Sequence, residues 1–148
     1  SKALTRLNKM FAEGQVHKTY WAIVKNRPKA LEGTLENWLV RNEKQNKSYA
    51  YDKEVKNSKK AVLHYKLIGH SQNYYLLEVD LKTGRHHQIR VQFASRALPL
   101  VGERKYSELN DPCEIALWSY RLGFKHPKTG EKMEFTKQPP ESYPWTVV

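Results

Sequence analysis

A chain of 148 residues is long enough for one domain with a usable core, and its 39% apolar share, with nine Tyr and four Trp, supplies the side chains to fill it. The formal net charge of +11 directs attention to polyanions: phosphate backbones or anionic lipid, and the chain has no strongly amphipathic basic helix with an aromatic face to favour lipid. One cysteine, Cys113, excludes an internal disulfide framework and fits a reducing cytoplasm, and apolar runs such as Ala61–Leu63 are far too short to span a bilayer.

In chain order, Ala3, Leu4, Leu7, Met10 and Phe11 recur at helical spacing over residues 2–13, with Gly14 as a stop. This opening is amphipathic and lacks the apolar run of a secretory leader. A sequence that begins inside a helix is expected to be a piece of a longer protein. "HKTYWAIV" (17–24), β-branched and aromatic, predicts a strand, and "NRPKALEG" a turn-rich break. "GTLENWLVRN" (33–42) is a further candidate strand, although Leu35 and Trp38 cannot share one face of it. The polar, Lys-rich stretch from Asn42 to Lys60 is expected to be a long exposed loop or hairpin.

"KAVLHYKLIGH" (60–70) and "NYYLLEVDL" (73–81) predict an antiparallel hairpin, Tyr75, Leu77, Val79 and Leu81 alternating with Tyr74, Leu76, Glu78 and Asp80. After "KTG" a helix is expected over roughly 86–97, with Ile89, Phe93 and Ala97 on its buried side. "ALWSYRLGFKH" (116–126) predicts a strand, with Trp118 and Tyr120 in the core. "PKTGE" is a hairpin turn, "KMEFT" (132–136) its partner strand, and "QPPESYPW" a Pro-rich tail. Strands dominate and no repeat is visible, so residues 1–148 are expected to form a single α+β domain with a mainly antiparallel sheet.

The stretch "LKTGRHHQIRVQFASRALPLVGERKY" (81–106) crowds arginines and two adjacent histidines around a short helix. A metal site is not expected. Neighbouring residues on a helix point about 100° apart, so His86 and His87 are poorly placed to share an ion, and no H-E-x-x-H or cysteine pair is present. A nucleotide-binding phosphate loop would need a second glycine and a Gly-Lys-Ser/Thr ending. A single phosphate at the start of the helix beside Arg85 is conceivable, and so is a merely solvated Arg85. Arg90, between Ile89 and Val91, is a partly buried guanidinium that needs a carboxylate or phosphate, or a structural ion pair with a local acid. Tyr20 and Lys18, two residues apart on one strand, suit a base stacked beside a phosphate, although the residues by themselves favour an ordinary core Tyr.

Taken in order, "KTYWAIV", "LKTGRHHQIRVQFA", "LPLVGERKY", "ALWSYRLGFKHPKTGEKMEF" and "PPESYPW" resemble the RluA-type RNA pseudouridine synthases over nearly the whole chain. The resemblance implies a mixed, largely antiparallel sheet with a central RNA-binding cleft. It also implies isomerisation of uridine to pseudouridine in ribosomal or transfer RNA, in the cytoplasm, without cofactor or metal. By the same resemblance Tyr20 stacks on the target base and helps remove its C5 proton, Arg90 pairs with the catalytic Asp, and Lys18, Arg85, His87 and Gln88 contact RNA or support the site.

The chain departs from the family pattern in three places. Gln92 stands where the family usually has His, and Gly102-Glu103 where it has Gly-Asp. The H-R-L-D-x-x-T-S-G motif that carries the nucleophile is not in the sequence, and Asp52, Asp80 and Asp111 lie in other contexts. Arg90 is then expected to lack its partner, at a cost of about 3–5 kcal/mol for an uncompensated buried charge, and the isolated chain to be inactive. A stand-alone RNA-binding module without chemistry is the alternative.

Overall fold

Alternation between buried and open side chains builds a single sheet whose strands run in the order β3-β2-β4-β5-β1-β6-β7, each paired antiparallel to its neighbours. The strands are β1 (Val16–Val24), β2 (Glu32–Asn42), β3 (Lys47–Tyr51), β4 (Lys59–His70), β5 (Tyr75–Leu81), β6 (Leu117–Lys125) and β7 (Lys132–Thr136). A short helix, α1 (Gln88–Ala94), follows β5, and a 3₁₀ turn, Trp145–Val147, closes the chain. The computed structural model describes residues 2, 5, 6, 9, 10, 15–126 and 128–148. Of the helix expected over residues 2–13, Lys2, Thr5, Arg6, Lys9 and Met10 are helical, and Ala3, Leu4, Leu7, Phe11 and the stop Gly14 lie outside the described residues. No described helix is long and apolar enough to cross a membrane.

One face of the sheet carries the larger core. Ala22 and Val24 of β1, Leu35 of β2, Leu63 and Tyr65 of β4, and Leu77 and Val79 of β5 meet Ile89 and Phe93 of α1. Phe93 is fully buried, its ring edge-on to Tyr65 at 5.6 Å and 72°. Burying such a side chain stabilises the fold by about 1.5–3 kcal/mol. The other face has a smaller cluster of Ile23, Val101 and Ala116, with Trp145 and Val148 packed against it.

Two expectations hold in a more specific form and two change. β2 is one regular strand: Leu35, Asn37 and Leu39 point into the core and Trp38 to the other face. The alternation was hidden because an inward position is polar. Asn37 is 2% exposed, and its Oδ1 accepts Gln92 Nε2 at 3.0 Å and Arg96 Nη1 at 2.7 Å. Of the loop or hairpin expected over 42–60, the hairpin is the one that forms, with β3 paired to β2. The helix expected over 86–97 is only seven residues long, since His87 (φ 53°) and Ala97 (φ 59°) adopt the left-handed conformation at its two ends, and Ala97 is exposed. Trp118 and Tyr120 lie outside the core. Tyr120 stacks on Trp21 at 3.9 Å between ring centres, half-buried, on the face opposite α1, and Trp118 Nε1 donates to the Lys137 carbonyl.

Candidate active site

β1 and α1 converge at a cavity of about 230 Å³ walled by Tyr20, Leu81, Arg85, His87, Gln88, Ile89, Arg90 and Leu117. Five of the six residues singled out in the sequence line it. Tyr20 reaches it from the core face of β1, half-buried among Leu81 and Leu117. Lys18 does not. It lines a separate hollow of about 600 Å³ with Arg121, Lys125 and Lys132, and Leu81 borders both spaces. β1 keeps an even register against β5, Lys18 opposite Leu81 and Tyr20 opposite Val79, and the extra residue of the bulge beside them is Tyr120 of β6, so two-residue spacing on one strand does not by itself bring Lys18 and Tyr20 into one hollow.

Arg90 is not an orphan, contrary to the expectation above. Its Nε and Nη2 each donate to the Glu103 carboxylate at 2.7 Å, and Glu103 is fully buried. The Lys105 N–H donates to Glu103 Oε1 at 3.0 Å and the Tyr106 N–H at 3.3 Å. Burial alone would raise the Glu103 pKa; the two bonds from Arg90, its charge and these backbone donors hold it below the ordinary value. Gly102 makes the approach possible. Its φ is +81°, and a Cβ there would sit 2.3 Å from the Glu114 carbonyl oxygen. The signal for Glu103 was visible in "VGER", where the family pattern also has an acid after Gly.

With Nε–H and one Nη2–H committed, Arg90 keeps the other Nη2–H and both N–H groups of Nη1, which lies 3.3 Å from His87 Nε2. The opposite ring nitrogen, Nδ1, is 2.7 Å from the Tyr106 hydroxyl, which also accepts the Ser48 N–H at 2.8 Å. A guanidinium only donates, so Nε2 is the bare nitrogen and Nδ1–H donates to Tyr106. Burial, then the Arg90 charge, push the His87 pKa down to about 4, so the imidazole is neutral at neutral pH. Tyr106 stands edge-on to His87 at 5.6 Å, and its ring centre is 5.4 Å from Arg90 Cζ. Ser48 and Tyr106 were not legible as site residues, because nothing local in "NKSYAY" or "ERKYSE" marks them.

Gln88 is a brace. It is 3% exposed, its Oε1 accepts Thr83 Oγ1 (2.8 Å) and the Arg85 N–H (3.0 Å), and its Nε2 donates to the Val62 carbonyl (3.1 Å). The Arg85 N–H, which a phosphate at the start of the helix would have used, is therefore occupied. The exposed Arg85 side chain donates from Nε to the Lys60 carbonyl at 2.9 Å. His86 stacks on His87 at 3.7 Å and is bound through Ser48 and Asn46. Among the described residues no three His, Cys, Asp or Glu side chains come together as a metal site requires. None of the three aspartates lines the cavity: Asp80 accepts Thr19 Oγ1 at 2.9 Å, and buried Asp111 is bound by Lys25 and by the Gly102 N–H at 3.0 Å.

Comparison with known proteins fits this geometry. The sequence model of the family described as RNA pseudouridylate synthase matches residues 1–95. An uncharacterized RNA pseudouridine synthase of Bacillus subtilis is 36% identical over 128 residues, covering 85% of this chain and 41% of that protein. The ribosomal large subunit pseudouridine synthase D of Zymomonas mobilis is 30% identical over 141 residues, 88% of this chain and 44% of its own length. The chain thus spans less than half the length of these curated relatives. Among solved structures, human RNA pseudouridylate synthase domain containing 1 superposes with a TM-score of 0.77 at 21% identity, covering 95% of this chain and 61% of that one, a likeness of fold.

Proposed function

Because the chain belongs to the RluA-type RNA pseudouridine synthase family, we propose that residues 1–148 form the base-binding part of a catalytic domain, acting in the cytoplasm, that isomerises uridine to pseudouridine in ribosomal or transfer RNA. The observation that carries this reading is the shared cavity of Tyr20 and Arg90. It joins an aromatic platform to one free guanidinium edge in a small, mostly apolar space.

The chemistry asks for such a pair. The N1–C1′ bond of the uridine breaks, the base turns over, a C5–C1′ bond forms, the C5 proton leaves and N1 takes up a proton in its place. A uridine must first leave its stack, at a cost of a few kcal/mol. The Tyr20 ring offsets part of that cost. The phosphates are held by cations: Arg85 at the rim, and Lys18, Arg121, Lys125 and Lys132 in the adjoining hollow. Arg90, clamped by Glu103 and His87, offers Nη1 to a carboxylate and keeps it ionised and aimed. That carboxylate is the family's nucleophilic Asp, which must come from residues outside this sequence, and the isolated chain is inactive without it. Gln88 acts by fixing the Arg85 turn.

A non-catalytic RNA-binding module is the second reading, favoured by the absence of an aspartate at the cavity. A protein that joins this sequence to an H-R-L-D-bearing segment separates the two. The enzyme reading predicts pseudouridine formation in a uridine-containing RNA, lost in Arg90→Lys while RNA affinity largely survives. Lysine keeps a positive charge beside Glu103 but has no second edge to offer, and a native melting curve for the variant verifies its fold. Undiminished turnover in Arg90→Lys removes Arg90 from the mechanism, and no product from the joined native protein favours the binding module.

A further inference from the structure

His87 and Arg90, which wall the cavity, both touch Tyr106, and Tyr106 in turn walls a second, open groove of about 590 Å³ between α1 and the edge strand β3. The chemistry described so far makes no use of this groove. Lys47 and Tyr49 of β3 form one side, and Arg104, Lys105 and Tyr106 the other. We infer that the groove takes a nucleotide of single-stranded RNA adjacent to the uridine held at Tyr20, with its base stacked on Tyr49 and its phosphate held by Lys47. This inference rests on the RNA-modifying reading above and adds where the flanking strand lies.

Four observations support it. First, Tyr49 is 37% exposed, yet its hydroxyl is tied to Gln45 Oε1 at 2.5 Å, so a large ring is held in place without being buried. A fixed, open aromatic is what stacking on a base requires, and it spares the ordering of a mobile side chain. Second, the Lys47 ammonium lies 5.5 Å from the Tyr49 ring centre and 5.7 Å from that of Tyr106. Among the described residues it has no carboxylate partner, so its charge remains available to an anion. Third, three cations (Lys47, Arg104 and Lys105) face this groove against one carboxylate, Glu108. That balance suits a phosphodiester better than an apolar or basic peptide. Fourth, the groove and the cavity lie on either side of the hydrogen-bonded pair His87–Tyr106, 2.7 Å apart, so a strand that leaves the cavity has the groove close by.

The test uses the 148-residue chain and a short, unstructured, fluorescent RNA, with affinity measured by anisotropy over a range of salt. Native protein is expected to bind with a negative slope of log K against log salt. Tyr49→Ala is expected to weaken binding about tenfold and Tyr49→Phe by clearly less, since Phe keeps the stacking ring and loses only the tether to Gln45. Lys47→Gln is expected to reduce the salt slope by about 0.7, the contribution of one phosphate contact on a single strand. Tyr49 is exposed and Lys47 half-buried on an edge strand, and a native melting curve for each variant verifies its fold. If Tyr49→Ala and Lys47→Gln bind like native protein while Tyr20→Ala or Arg85→Ala binds more weakly, the flanking strand does not use this groove and the inference is overturned, with the RNA reading left standing. Equal losses in Tyr49→Ala and Tyr49→Phe overturn the stacking role. If native protein binds no RNA in a salt-dependent way, the inference and the functional reading fall together.

Discussion

Arg90 and Glu103 are joined by two hydrogen bonds of 2.7 Å, and the carboxylate is wholly shielded from solvent. The pair ties α1 to the loop that follows Leu100 and fixes which guanidinium edge faces the cavity. Removing one member leaves a buried charge without its counter-ion. Glu103→Leu is therefore expected to cost about 3–5 kcal/mol, a fall in Tm of roughly 6–20 °C for a chain of this size. Replacing both members, Arg90→Met with Glu103→Leu, should cost less than Glu103→Leu alone, because no charge is stranded. Thermal and urea denaturation of the single and double variants measure this, and additive losses would mean that the two side chains are not coupled.

His87 makes acid the condition that loosens the site. Its pKa in the fold, about 4, lies below its ordinary value of 6.5, so the unfolded chain binds the extra proton first. The stability due to neutral His87 is full above pH 6.5 and is lost as pH falls from there toward 4. The depressed Glu103 acts in the same direction but lower, its contribution being lost only below the ordinary value of 4.5. An NMR titration of the ring protons should give a midpoint near 4 for His87. A midpoint at 6 or above would mean that the ring is not held against Arg90 as described.

How much of this was legible depended on whether the deciding contact was local. β1, the β4–β5 hairpin and the β6–β7 hairpin follow from alternation and turn residues, and they formed close to where the pattern put them. α1 was too long in the sequence reading, because nothing in its composition announces left-handed backbone at His87 and Ala97, neither of which is glycine. Tyr20 and Arg90 could be paired only through the resemblance; their shared cavity arises from strand order, which sequence spacing does not encode. Glu103 is 13 residues from Arg90 in sequence, and its role depends on the left-handed turn at Gly102. Tyr106 and Ser48 are 58 residues apart, beyond the reach of any pattern.

Gly102 sets the direction of that turn. A methyl group there would stand 2.3 Å from the Glu114 carbonyl oxygen and 2.9 Å from the Ile115 Cα, both backbone atoms that cannot swing aside. The positive φ adds a conformational penalty of about 1–3 kcal/mol for a residue other than glycine. Gly102→Ala should therefore destabilise the chain by at least that amount in urea denaturation. It should also weaken the grip of Glu103 on Arg90, seen as a shift in the NMR signal of the Arg90 side-chain N–H. A variant as stable as native protein would contradict the close approach.

Tyr20 separates ring from hydroxyl. It is half-buried, packs against the main core with Leu81 and Leu117, and faces the cavity shared with Arg90. Stacking on a base calls on the ring alone, at about 1–3 kcal/mol, whereas help with the C5 proton calls on the hydroxyl. RNA affinity in Tyr20→Phe is thus expected to stay near native and in Tyr20→Ala to fall about tenfold or more. Pseudouridine formation by the protein that also carries the nucleophile segment should drop in both variants, because Phe keeps the platform but cannot exchange a proton. Part of the Tyr20→Ala loss is structural, since the ring also fills the edge of the core, so affinities must be compared well below the melting temperature of each variant. Equal affinity losses in Phe and Ala would assign the binding to the hydroxyl. Full turnover in Tyr20→Phe would leave the ring as a platform only, and the C5 proton would have to leave by another route.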